Sequence, residues 1–250
     1  MSLPVRTWIQ LLPWMTVYAI AMAFLESAVV IDLRALYYPV EFTFPMAPID
    51  RRIAITELLR ELATMVMLLV PGALLSRRAL ERFAWFSYCF GVWDIFYYVF
   101  LKAILNWPAT LLDWDILFLV PVPWVGPVLA PVIVSLGMIL LGTVILRARE
   151  RQQDATINKV EWTMFASAAL IMLYTFVEEP LAHVWAEHRH SLSVSGSGPA
   201  LDQLRDYIPE RFLWLVFLFG AAIGLMGVIT LWRRGGTCAG CLVDRPSTLK

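Results

Sequence analysis

Six carboxyl side chains stand inside or at the rim of otherwise apolar stretches: Glu26, Glu57, Glu61, Asp94, Glu178 and Glu179. An ionisable group at the centre of a bilayer is disfavoured by about 2.5–3.5 kcal/mol on insertion scales, so such groups are rare and usually functional. Only Arg60 and His183 lie among them to compensate. Carboxylates in that setting bind a cation, hold or pass a proton, or pair with a neighbouring helix.

Spacing ranks them. Glu57, Glu61 and Thr64 follow i, i+4, i+7 and share a helix face. Two like charges at i, i+4 repel, which a shared cation, a shared proton or a bound arginine would relieve. The plainer reading is a helix start, where the dipole favours acids and Arg60 pairs with Glu57. Ser87, Gly91, Asp94 and Tyr98 form one stripe, and Asp94 sits in WDIFYY (93–98), the deepest acid of the set. A similar WDILFL (114–119) places Asp115 at the membrane interface. Glu26 shares a face with Tyr18 and Met22 and has no basic residue within a turn; Arg34 follows two turns on. Thr175, Glu179 and His183 are spaced by four, a possible metal half-site. Pro180 is expected to end that helix and move His183 into a loop, where His188 and His190 are either further ligands or solvated.

The elements that carry these groups follow from composition. The chain has 250 residues, 60% hydrophobic and 16% charged, against about 25% charged in an ordinary soluble domain. Apolar runs recur that are long enough to cross a hydrocarbon core of about 30 Å at 1.5 Å per residue. An all-α, polytopic bundle of six spans is expected, at 8–31, 53–75, 79–105, 127–146, 160–179 and 212–232. Residues 1–234 would form one transmembrane domain and 235–250 a short cytoplasmic tail. With the N-terminus inside, twelve Lys and Arg fall on the cytoplasmic side and seven on the other, which favours both termini in the cytoplasm of a bacterial-type inner membrane. All six acids then occupy the outer half of the bilayer, contributed by four helices. The length and Glu26 of the first run argue against a cleaved signal peptide.

The stretch VPVPWVGPVLAP (120–131) carries four prolines, so regular helix is not expected before Pro127. A kinked or re-entrant segment, or an interfacial loop, would cover the outer side of the bundle before the fourth helix. SLSVSGSGP (191–199) reads as a flexible linker and 201–208 as a short amphipathic helix. Gly220 and Gly224 form a small-xxx-small pair suited to close helix packing, within the chain or in a homo-oligomer or larger complex. Cys238 and Cys241 are a lone CxxC, weak as zinc or redox evidence, and three cysteines give no disulfide framework.

Zero net charge gives no reason to expect nucleic acid as a partner. One histidine at membrane depth cannot supply bis-histidine haem or a histidine-rich di-iron centre, and no nucleotide-binding, zincin or serine-hydrolase motif is present. The leading expectation is a membrane-embedded enzyme with a carboxylate-rich site for a divalent metal or other cation, acting on a lipid-soluble small molecule. Glu26, Glu57, Glu61, Asp94, Glu179 and His183 would be ligands, with Asp94 and Glu26 catalytic. A metal-free variant uses a buried carboxyl as general acid for isoprenoid or lipid cyclisation, with aromatic faces stabilising a cation. The alternatives are a proton- or cation-coupled transporter and an accessory subunit of a larger membrane complex.

Overall fold

The computed structural model describes residues 7–38, 42–45, 47, 50–119, 123–151, 156–191 and 207–236, with backbone alone for 187–191 and 236. Six helices form: α1 Trp8–Tyr37, α2 Arg51–Leu75, α3 Ala79–Leu105, α4 Leu129–Arg151, α5 Lys159–Ser191 and α6 Trp214–Gly236. Each is long and apolar enough to cross a membrane, which fits a multi-pass membrane protein. The tail cysteines, His188, His190 and almost all of the Gly-Ser linker lie outside the described side chains.

Helix ends are fixed by local chemistry. Asp50 caps α2, accepting from the Arg52 N–H at 2.8 Å. α3 stops at Asn106, whose φ of 55° is left-handed, and Lys102 Nζ donates to the Asn106 and Pro108 carbonyls at 3.2 and 2.8 Å. Asn158 and Glu161 exchange side chain-to-backbone bonds of 2.9 and 2.8 Å at the start of α5. Pro180 does not end α5. The helix continues through it to Ser191, so His183 stays on the helix. One hydrogen bond is lost at a proline, but apolar surroundings offer the backbone no water instead, and the helix persists.

Within the proline-rich stretch, residues 124–127 form a strand and α4 begins at Leu129. Strand β1 (Trp114–Phe118) pairs antiparallel with β2 (Trp124–Pro127), in the register Trp114 to Pro127, Asp115 to Gly126 and Ile116 to Val125. The Val128 N–H donates to the Asp113 carbonyl at 3.0 Å and Leu129 N–H to Leu111 at 2.7 Å, tying the base of the hairpin to the start of α4. Gly126 lets the hairpin lie on α5, since a Cβ there would stand 2.8 Å from the Phe176 ring.

α3 is the hub, packed against α1, α2 and α4, while α5 packs on α6 and β2. Gly91 makes the α3–α4 contact possible: a Cβ there would collide with the Ser135 carbonyl and lie 2.8 Å from the Ile139 side chain. The Gly220 and Gly224 face of α6 is taken up within the chain, where added Cβ atoms would lie 2.9 Å from Ile171 and 3.3 Å from Ala168 of α5.

Candidate functional site

α1, α2, α3 and the hairpin line a cavity of about 130 Å³. Its polar lining is Glu26, Arg34, Glu57, Arg60, Glu61, Asp94 and Asp115, and its aromatic lining includes Phe42, Trp93, Tyr97 and Tyr98. Glu26, Glu57, Glu61 and Asp94, far apart in sequence, are thus brought to one site. Helical periodicity does this: the face of α2 that carries Glu57, Glu61 and Thr64 turns toward α1 and α3, and Gly91 seats the Asp94 stripe against α4.

Arg60 neutralises two of the acids. It forms an ion pair with Glu26 on α1, and its Nε donates to Glu57 Oε2 at 2.9 Å while Nη2 bonds the other oxygen. Thr64 Oγ1 adds a 3.0 Å bond to Glu26 Oε2. The second guanidinium, Arg34, donates to Asp115 Oδ1 at 2.9 Å. Its two neighbours are aromatic: Cζ lies 3.8 Å from the Trp107 ring centroid and 4.4 Å from that of Phe42. Burial pushes the Asp115 carboxyl up to about 6, against the pull of Arg34.

The remaining two acids have no cation. Glu61 accepts the Leu119 N–H with both carboxylate oxygens at 3.1 Å, which anchors the end of the hairpin to α2. Asp94, 7% exposed, accepts only the Ser135 hydroxyl, at 2.8 Å. So the cavity sorts its carboxyls into three that are ion-paired and two that are hydrogen-bonded by neutral donors.

Glu178, Glu179 and His183 are elsewhere. Glu179 accepts the Tyr207 hydroxyl and the Glu210 N–H, both at 3.1 Å, and Glu178 meets Arg211 at 3.3 Å. The His183 ring packs beside Tyr207 with centroids 5.5 Å apart. This cluster clamps residues 207–213 onto α5, and burial together with Glu179 raises the Tyr207 phenol well above its ordinary value. α5 packs on α6 and β2, so its acid–histidine pair does not join the lining of the cavity. The expectation that Glu179 and His183 share a site with Asp94 is corrected accordingly.

The metal-ligand expectation finds no geometric support either. Among the described residues no three His, Cys, Asp or Glu side chains converge as a ligand set. Glu26, Glu57 and Asp115 are also engaged by guanidinium groups. Among the described residues, the cavity carboxyls do not form the ligand set of a resident metal.

Sequence reasoning left two members out, Arg34 and Asp115. The signal was present in the second tryptophan–aspartate pair, WDILFL (114–119), whose Asp115 was placed at the interface instead of in the cavity. The chain matches no protein-family model, no curated protein and no solved structure.

Proposed function

We propose that the chain is a membrane-embedded enzyme whose cavity holds a lipid-soluble substrate and exchanges protons with it through Asp94 and Glu61. The observation that carries this reading is the division of the five cavity acids: Glu26, Glu57 and Asp115 are bound to arginines, whereas Asp94 and Glu61 are not. A carboxyl free of a counter-ion can act as general acid or base, a role worth typically 10²–10⁴-fold in rate. Glu26 moves from a catalytic to a positioning role, because it fixes Arg60 and with it the charge beside the site. Trp93, Tyr97 and Tyr98 line the cavity together with Asp94 and would supply ring faces for a developing positive charge. In the same reading both termini are cytoplasmic, and the cavity opens in the outer half of the membrane beneath the hairpin.

This reading is favoured over a proton-coupled transporter by what fills the rest of the bundle. Away from the hairpin the interior holds an apolar cluster that includes Ala84, Trp85, Val144, Ile145 and Leu231, and the carboxyls Glu81 and Glu161 at that end are ion-paired to Arg149 and Arg234.

The test is turnover. The purified chain, reconstituted in vesicles made from a total bacterial lipid extract, should convert at least one lipid species seen by mass spectrometry. Asp94→Asn and Glu61→Gln should each slow that conversion about 100-fold or more, while Glu178→Gln stays within about twofold of wild type. No conversion by the wild type, or undiminished conversion by both cavity variants, would sink the enzyme reading. Acidification of the vesicle lumen without lipid conversion would favour the transporter.

A further inference from the structure

The cavity also indicates what kind of substrate it takes. Five carboxyl groups line it against two guanidiniums, so charge is unbalanced toward negative. Both arginines are already ion-paired. Arg60 is already shared between Glu26 and Glu57, and Arg34 is bound to Asp115 with Trp107 and Phe42 against its guanidinium. Arg34 Nη1 and Trp93 Nε1 are unpartnered donors in the lining, but the charge left uncompensated is negative. Asp94 and Glu61 have no counter-ion, and Asp115, only 2% exposed, leaves Oδ2 without any hydrogen-bond partner. A buried acceptor left unpaired is disfavoured, and a ligand that brings N–H donors removes that cost.

Size narrows the class. One water needs about 10–15 Å³ of such space, so a cavity of about 130 Å³ holds a small organic group rather than a single ion. Aromatic side chains make up much of its wall, Trp93, Tyr97 and Tyr98 among them on the same helix as Asp94. Carboxylate oxygens beside aromatic faces are the surroundings that recognise ammonium groups.

We infer that the cavity binds a protonated alkylamine, with the ammonium group among Asp94, Asp115 and Glu61 and the apolar body against the aromatic wall. The inference rests on the reading of the cavity as a substrate site and specifies the charge of what enters it. It adds no chemical step to that reading.

Binding at equilibrium tests it independently of turnover. Calorimetry at pH 8 on the full chain in micelles would compare n-hexylamine with hexanol and hexanoate, three probes of one length and different charge. Wild type should bind hexylamine saturably and at least tenfold more tightly than either other probe. Asp94→Asn should weaken hexylamine binding tenfold or more, and Glu178→Gln should leave it unchanged. Equal affinity for hexanol or hexanoate overturns the inference, as does unchanged hexylamine binding in both Asp94→Asn and Asp115→Asn. If a variant fails to fold, the comparison of the three probes on the wild type decides the matter alone. Selective amine binding without any lipid turnover would defeat the enzyme reading and leave the ligand class standing; turnover without amine preference would do the reverse.

Discussion

Arg60 holds two carboxylates from two helices, and its removal would leave both charges in a low-dielectric site. Breaking a buried ion pair by deleting one partner costs about 3–5 kcal/mol, and here the deletion orphans Glu26 and Glu57 together. Arg60→Ala should therefore unfold at markedly lower denaturant, whereas Glu57→Gln, which leaves Arg60 on Glu26, should lose about 1–2 kcal/mol; equilibrium unfolding in micelles measures both. Asp115 gives a pH signature with a definite sign. Its carboxyl sits at about 6 in the folded chain against an ordinary value of 3.8, so the folded state binds that proton more tightly. Its contribution is fully present below about pH 4 and is lost as pH rises to about 6. Over that window the wild type should lose thermal stability relative to Asp115→Asn, and parallel curves for the two proteins would refute this assignment of the group.

At the scale of elements, the α3–α4 contact and the hairpin set the geometry of the site. Gly91→Val would drive a side chain into the Ser135 backbone, and overpacking of this kind costs about 1–3 kcal/mol. It should also part Ser135 from Asp94, so lipid conversion would fall along with the unfolding midpoint. The end of the hairpin can be released without touching an acid: Leu119→Pro removes the N–H that both Glu61 oxygens accept. Proteolysis near 119–123 should then quicken while α1–α4 stay folded, as read by helix content in circular dichroism. The helices were legible in the sequence because apolar runs and caps are local signals. Convergence of Glu26, Glu57, Glu61 and Asp94 was legible too, since helical period puts each on an inward face. The Arg34–Asp115 pair was not, because its partners are 81 residues apart and belong to a helix end and a strand. No local pattern reports such a contact. The prolines of 120–131 do not report the antiparallel pairing of 124–127 with 114–118, which depends on Asp113, Leu111 and the start of α4. Glu179 and His183 have the spacing of a site, yet the face they occupy packs against the residues that lead into α6.

The whole molecule is a six-helix bundle with its five-carboxyl cavity at the end that bears the hairpin. Under the proposed topology a cysteine placed at Ser76 would be reached by a membrane-impermeant thiol reagent only from the cytoplasmic face, and one placed at Thr110 only from the opposite face; labelling of both from one side would overturn the orientation. The central claim is that the two unpaired cavity acids do the proton work and the ion-paired acids hold the site together. Four single amide variants, compared for conversion rate and unfolding midpoint in the same vesicles or micelles, test it most directly. Asp94→Asn and Glu61→Gln should lose about 100-fold in rate with the midpoint nearly kept, and Glu26→Gln and Glu57→Gln should lose stability with the rate affected far less. Rate and stability falling together in all four, or rate falling only in the ion-paired pair, would contradict the account.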